Sequence, residues 1–69
     1  MNQNERILEH LKKYGSITPK EANAEYGIMR LGARIHDLKK MGHAILTTNE
    51  KALNKYGEKI HYARYKLMN

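Results

Sequence analysis

The sequence predicts an α+β domain in which three short helices are followed by a C-terminal two-stranded β-hairpin. Three observations predict it. Apolar residues recur at helical spacing through the first forty residues, the pattern changes to strand-like alternation from His43 onward, and Gly or a capping box marks each boundary.

In the first element, Ile7, Leu8, Leu11 and Tyr14 share one side of a helical wheel, while Glu9, Lys12 and Lys13 lie elsewhere on it. Asn4 is the expected cap and Gly15 the stop, which gives a helix over Asn4 to Tyr14. The second start signal is sharper. In Thr18-Pro19-Lys20-Glu21 the hydroxyl stands at the cap, Pro at the first helical position and Glu at the third, a capping box. Ile17 and Ala22 occupy the staple positions around it. The predicted second helix runs from Pro19 to Glu25. Ala22 and Ala24 leave room for a neighbouring helix, and Gly27 is free to take positive φ.

The predicted third helix covers Ile28 to Met41. Ile28, Leu31, Ile35 and Leu38 fall on one face. The far side carries Met29, Ala33, His36, Asp37 and Lys40, with Arg30 on a flank, and Gly42 ends the helix. After that, His43 to Thr48 is apolar and β-branched enough for a strand. Asn49 to Gly57 is polar and Lys-rich and reads as a loop, with Asn54 and Gly57 as turn residues. Lys59 to Leu67 alternates, with Ile60, Tyr62, Arg64 and Lys66 on one side and His61, Ala63, Tyr65 and Leu67 on the other. A lone hairpin is marginal in water, so this one must pack on the helices. Two helices joined by a tight Gly turn, with a basic hairpin directly after the second of them, make a three-helix winged helix-turn-helix. With 69 residues and no internal repeat, the chain is expected to be a single domain over residues 1–69.

The bulk numbers narrow the function classes. With no Cys there is neither a disulfide nor a thiolate metal site. No apolar run approaches the length of a membrane span. The start of the chain, Met1 to Arg6, is polar and lacks a secretory hydrophobic region, so the protein is expected to stay where it is made. The net charge of +6 is unevenly placed. Residues 1–28 hold four Lys/Arg and four Glu, whereas residues 29–69 hold nine Lys/Arg and three acids, so the whole excess lies in the third helix and the hairpin. That asymmetry suggests a face for a polyanion.

The segments ITPKEA (17–22) and YGIMRLGARIHDLKKMGHAI (26–45) resemble the small helix-turn-helix domain proteins of phages and prophages, whose pattern reads "TP-EA" and then "YG--RL-ARIHDL---GH-I". The resemblance continues into ARYKL (63–67), which is similar to that family's closing "A-Y-L" strand, and so spans nearly the whole chain. Met29 and Gly32 stand at variable positions, and the wing loop is variable in any case. The resemblance implies a winged helix that binds double-stranded DNA in the cytoplasm of a bacterial host, at the nucleoid. It does not imply one biological role.

Candidate contacts follow from how such folds meet DNA. Phosphate neutralisation supplies affinity and side chains at base edges supply sequence reading. The second helix of the motif enters the major groove by its N-terminal residues. Here those are Met29, Arg30 and Ala33, and Arg30 has the fork for guanine. Arg34 has two readings, DNA contact or a pair with Asp37 or Glu25. For Gly32 they are close approach to DNA or packing on the second helix. Lys40 points outward and suits a phosphate, and so does Lys39. At the start of the second helix, Ser16, Thr18 and Lys20 could meet a phosphate, although Thr18 also reads simply as a cap and Lys20 as solvated. In the wing, Lys51, Lys55 and Lys59 could reach the backbone. Tyr56 could stack there or fold back on the hairpin, and Tyr62 and Tyr65 belong to the core edge.

His10, His36, His43 and His61 have no metal-ligand spacing, and no nucleophile, phosphate loop or carboxylate pair stands out. No catalysis, metal, cofactor or small-molecule ligand is therefore expected. So small an interface would need a dimer or several copies on one site for high specificity. The expected role is a regulator of transcription or an excision or architectural factor. The alternatives are a DNA-recognition component of a packaging or recombination complex and, in another class, a winged helix that binds a protein such as a host target of a phage inhibitor.

Overall fold

A computed structural model describes residues 1–68. The element order is α1 (Gln3–Tyr14), β1 (Ser16–Ile17), α2 (Pro19–Tyr26), α3 (Leu31–Lys40), β2 (Ile45–Leu53) and β3 (Lys59–Leu67). The strands form one antiparallel sheet in the order β1-β3-β2.

The helices start where reciprocal caps exist. The cap of α1 is Asn2, not Asn4. The Asn2 side chain accepts from the Glu5 amide at 2.8 Å, and the Glu5 carboxylate accepts from the Asn2 amide at 3.4 Å. An Asn4 cap would place Ile7 at the third position, which cannot return the bond. Asn4 instead lies inside α1 and donates to Asp37 Oδ2 at 3.3 Å, tying α1 to α3. The Thr18 box is present as the sequence predicts. Thr18 Oγ1 accepts from the Glu21 amide at 3.2 Å, and Glu21 accepts from the Thr18 amide at 2.8 Å.

The helix α3 begins three residues later than the periodicity predicts. Gly27, at φ 65°, turns the chain, and the Ile28 amide folds back on the Ala22 carbonyl at 3.1 Å. Ile28 therefore keeps its buried place on the apolar face while lying just past the Gly27 cap of α2, outside both helices. Met29 lies in the connecting turn, and Arg30 is the N-cap residue of α3.

The core is Ile7, Leu11, Ile17, Ala22, Ile28, Leu31, Ile35, Leu38 and Ile45, with Leu8, Tyr26, Tyr65 and Leu67 packed on it. Each fully buried Leu or Ile contributes on the order of 1.5–3 kcal/mol. His10 is also buried, and its Nδ1 lies 2.6 Å from the Tyr26 hydroxyl. Burial, before any neighbouring charge, holds the Tyr26 pKa above its usual value, so the phenol stays neutral.

Two features of the sheet differ from the sequence reading. β1 adds a third strand, pairing Ser16 with Lys66 and Ile17 with Tyr65. In addition, β2 starts at Ile45 instead of His43 and runs on to Leu53, where the sequence reading placed a loop from Asn49. Nine cross-strand pairs with β3, from Ile45–Leu67 to Leu53–Lys59, carry the polar residues as strand. The turn shrinks to Asn54–Glu58. Asn54 Oδ1 accepts from the Tyr56 and Glu58 amides there, and Gly57 takes φ 78°.

Candidate nucleic-acid interface

Directly opposed residues of an antiparallel pair point to the same side of the sheet. The β2–β3 register therefore sorts the hairpin into two faces. One carries Ile45, Leu67, Thr47, Tyr65, Asn49, Ala63, Lys51, His61, Leu53 and Lys59. Its base is core, and its outer half carries Lys51, His61 and Lys59, all exposed, with no acid. The other face carries Leu46, Lys66, Thr48, Arg64, Glu50, Tyr62, Ala52 and Ile60.

The acids nearest the basic surfaces are tied down. Glu50, on the second face, accepts from Arg64 Nε at 2.9 Å, and this bond holds its carboxyl below the usual carboxylate range. The same bond raises the Arg64 guanidinium. Arg64 Nη1 also donates to Ser16 Oγ at 3.0 Å and lies 3.8 Å from Glu21. The cation of β3 closest to α2 thus holds the hairpin to the start of that helix.

On α3, Asp37 accepts from Asn4 and pairs with Arg34 at 3.4 Å. Of the two readings open for Arg34, the Asp37 pair is present, and its guanidinium is half-buried beside α1's Asn4–Asp37 bond. Ala33, placed on the far side by the wheel, is also half-buried. The open side of α3 is Gly32, His36, Lys39 and Lys40, continued N-terminally by Arg30 and by Met29, which is 77% exposed. The start of α3 has no side-chain cap and no acid in its first turn, so no carboxylate on the helix offsets the positive end of its dipole. Gly32 does not pack on α2; the nearest atom to where its side chain would begin is the Tyr65 hydroxyl on β3, 3.8 Å away.

The remaining candidates divide. Ser16 lies in β1 with its hydroxyl engaged by Arg64, and Thr18 is buried as the α2 cap. Lys20 is exposed in the first turn of α2. It lines, with Ala52, Ile60 and Tyr62 of the hairpin, a groove on the side away from Lys51. Lys51 and Lys59 are strand residues and not loop residues. Lys55, in the turn, lies over the Tyr56 ring at 5.1 Å. The structure thus leaves Met29, Arg30, Lys40, Lys51 and Lys59 exposed on the turn before α3, on α3 and on the hairpin, and sets Ser16, Thr18, Ala33 and Arg34 into internal contacts or partial burial. Sequence reading gave no contact role to His36 and His61. Alternation along β3 was the signal for His61; for His36 the wheel was.

Among the described residues no cluster of three or more His, Asp or Glu could hold a metal ion, and no helix is long and apolar enough to cross a membrane. Comparison with curated proteins and with solved structures finds no significant match. A family model described as a winged helix-turn-helix domain matches residues 2–69, and with nearly its whole length covered the chain belongs to that winged helix-turn-helix family.

Proposed function

We propose that this protein binds double-stranded DNA, with the open side of α3 in the major groove and the Lys51–His61–Lys59 face of the hairpin along the flanking backbone. One observation carries the reading. The acid-free basic face of the hairpin is the face that continues, through Tyr65 and Gly32, onto the open side of α3, while Glu50 and Asp37 are each held by an arginine. Family membership supports a DNA partner. In this reading Arg30 and His36 meet base edges, and Lys39, Lys40, Lys51 and Lys59 meet phosphates. The resemblance of residues 17–45 to phage and prophage proteins supports a role as a regulator of transcription or an excision or architectural factor. The chain acts as a binding module and not as an enzyme.

The test is binding of the purified protein to random and genomic duplexes across a salt series, beside an Arg30→Ala/His36→Glu variant. Both positions are exposed, so the fold should be kept. The expected result is salt-sensitive binding that selects particular fragments and loses that selection in the variant. Failure to bind any duplex at low salt would overturn the proposal.

A further inference from the structure

Tyr65 is central to the sheet, paired with Thr47 on β2 and with Ile17 on β1. Its ring packs against the core cluster. The hydroxyl, by contrast, makes no hydrogen bond to any described residue. Nor is it sealed from water, because the buried side-chain polar atoms without a partner among the described residues are Asn4 Oδ1 and Arg34 Nε. A phenol whose ring is held in a core and whose hydroxyl is not sealed from water is fixed in position and has one unused donor.

That hydroxyl emerges beside Gly32, in the first turn of α3, at the seam between α3 and the basic face of the hairpin. Neither crowding nor backbone geometry requires a glycine there. Gly32 has no positive φ, and an added Cβ would meet the hydroxyl only at ordinary contact distance. Any longer side chain at this position, however, would stand over the hydroxyl.

Resting on the DNA-binding reading above, we infer that the Tyr65 hydroxyl donates a hydrogen bond to a DNA phosphate, through the opening that Gly32 leaves on the surface of α3. When α3 lies in the major groove and the hairpin lies on the neighbouring backbone, the seam between them rides on the phosphodiester strand that borders the groove. A phosphate oxygen is an acceptor, and a neutral phenol is a donor that brings no competing cation. The contact positions α3 and carries no sequence information of its own.

The test is Tyr65→Phe, which keeps the ring in the core and removes one oxygen. Affinity is measured for a selected and a random duplex across a salt series, with a thermal melt of each protein. The inference predicts a loss of about tenfold on both duplexes, the size of one hydrogen bond to a charged group. It also predicts an unchanged slope of log affinity against log salt, because no counterion is displaced by a neutral hydroxyl, and an unchanged melting temperature. Wild-type binding with equal affinity in Tyr65→Phe would overturn the inference and leave the DNA reading intact. A wild-type protein that binds no duplex would overturn both. Loss confined to the selected duplex would also overturn it, since that pattern belongs to a base contact.

Discussion

Arg64 on β3 donates through Nε to Glu50 on β2 at 2.9 Å, and through Nη1 to Ser16 at the entrance to α2. One guanidinium therefore fixes three elements: the hairpin's two strands to each other, and both to the segment that starts the second helix. The register places the only acid of β2 on the face away from Lys51 and Lys59.

The Glu50 pair gives a pH dependence whose sign is fixed. Its carboxyl pKa is lowered in the folded chain, chiefly by the bond from Arg64. The stabilisation is thus fully present above the ordinary carboxylate pKa of 4.5 and is lost as pH falls through the folded value. Thermal melts should show a midpoint that falls in acid, as pH drops below the ordinary value of 4.5 and through the lower folded value. In Glu50→Gln that acid-induced fall should be smaller, and the midpoint at neutral pH should already be reduced. Equal acid sensitivity in the two proteins would rule this pair out as the titrating element.

Tyr26→Phe addresses the helical body. The hydroxyl lies 2.6 Å from His10 Nδ1, and His10 is 7% exposed. Removing it leaves a buried ring nitrogen without its partner, which costs about 1–3 kcal/mol. Whichever tautomer is present, one group is left unsatisfied. Urea unfolding monitored by circular dichroism should show a lower midpoint with an unchanged slope. Binding to DNA below the melting temperature should be unaffected, since neither residue lies on α3 or the hairpin.

Gly32→Ala should go the other way. The position is helical, exposed and free of positive φ, with only ordinary contact to the Tyr65 hydroxyl for a new methyl group. Ala in place of Gly under those conditions is worth about 0.5–1 kcal/mol of added stability. A gain smaller than experimental error would mean that the first turn of α3 is not fully helical in solution.

How much of this was legible in the sequence follows from how local each signal is. The Thr18–Glu21 box, the apolar stripe of α3 and the alternation of β3 are short-range patterns, and each is found where the residues place it. The Asn2 cap was missed although Glu5 stands three residues after it, because Asn4 lies nearer the apolar stripe. The late start of α3 was not legible because Ile28 satisfies its helical period while its amide is captured by Ala22. β1 is two residues long and has no period of its own; it exists only because β3 offers an edge. The outer half of β2 reads as loop because both its faces are polar, and pairing with β3 is what makes it strand. The site suffered in the same way. Arg64 looks like a free cation until Glu50 and Ser16 are brought beside it by tertiary contact, whereas the Arg34–Asp37 pair, three residues apart on one helix, was already one of the two readings open in the sequence.

The assignment of the hairpin's working face can be tested within the hairpin itself. Lys51 and Lys66 are both exposed lysines of the same sheet, but the register puts Lys51 on the face shared with Tyr65 and Lys66 on the face shared with Arg64. Neither forms an ion pair among the described residues, so Ala at either position removes one charge and little stability. If the Lys51 face lies on the DNA backbone, Lys51→Ala should weaken binding to all duplexes alike. It should also reduce the slope of log affinity against log salt by about one. Lys66→Ala loses the same formal charge from the same hairpin and should leave that slope nearly unchanged, apart from a small long-range effect that fades above about 0.15 M salt. Salt titrations of the two variants side by side separate a contact from net charge. Equal losses in slope would mean that the protein attracts DNA by its overall charge alone, and a larger loss for Lys66 would place the DNA on the opposite side of the sheet, against the groove lined by Lys20 and Ile60.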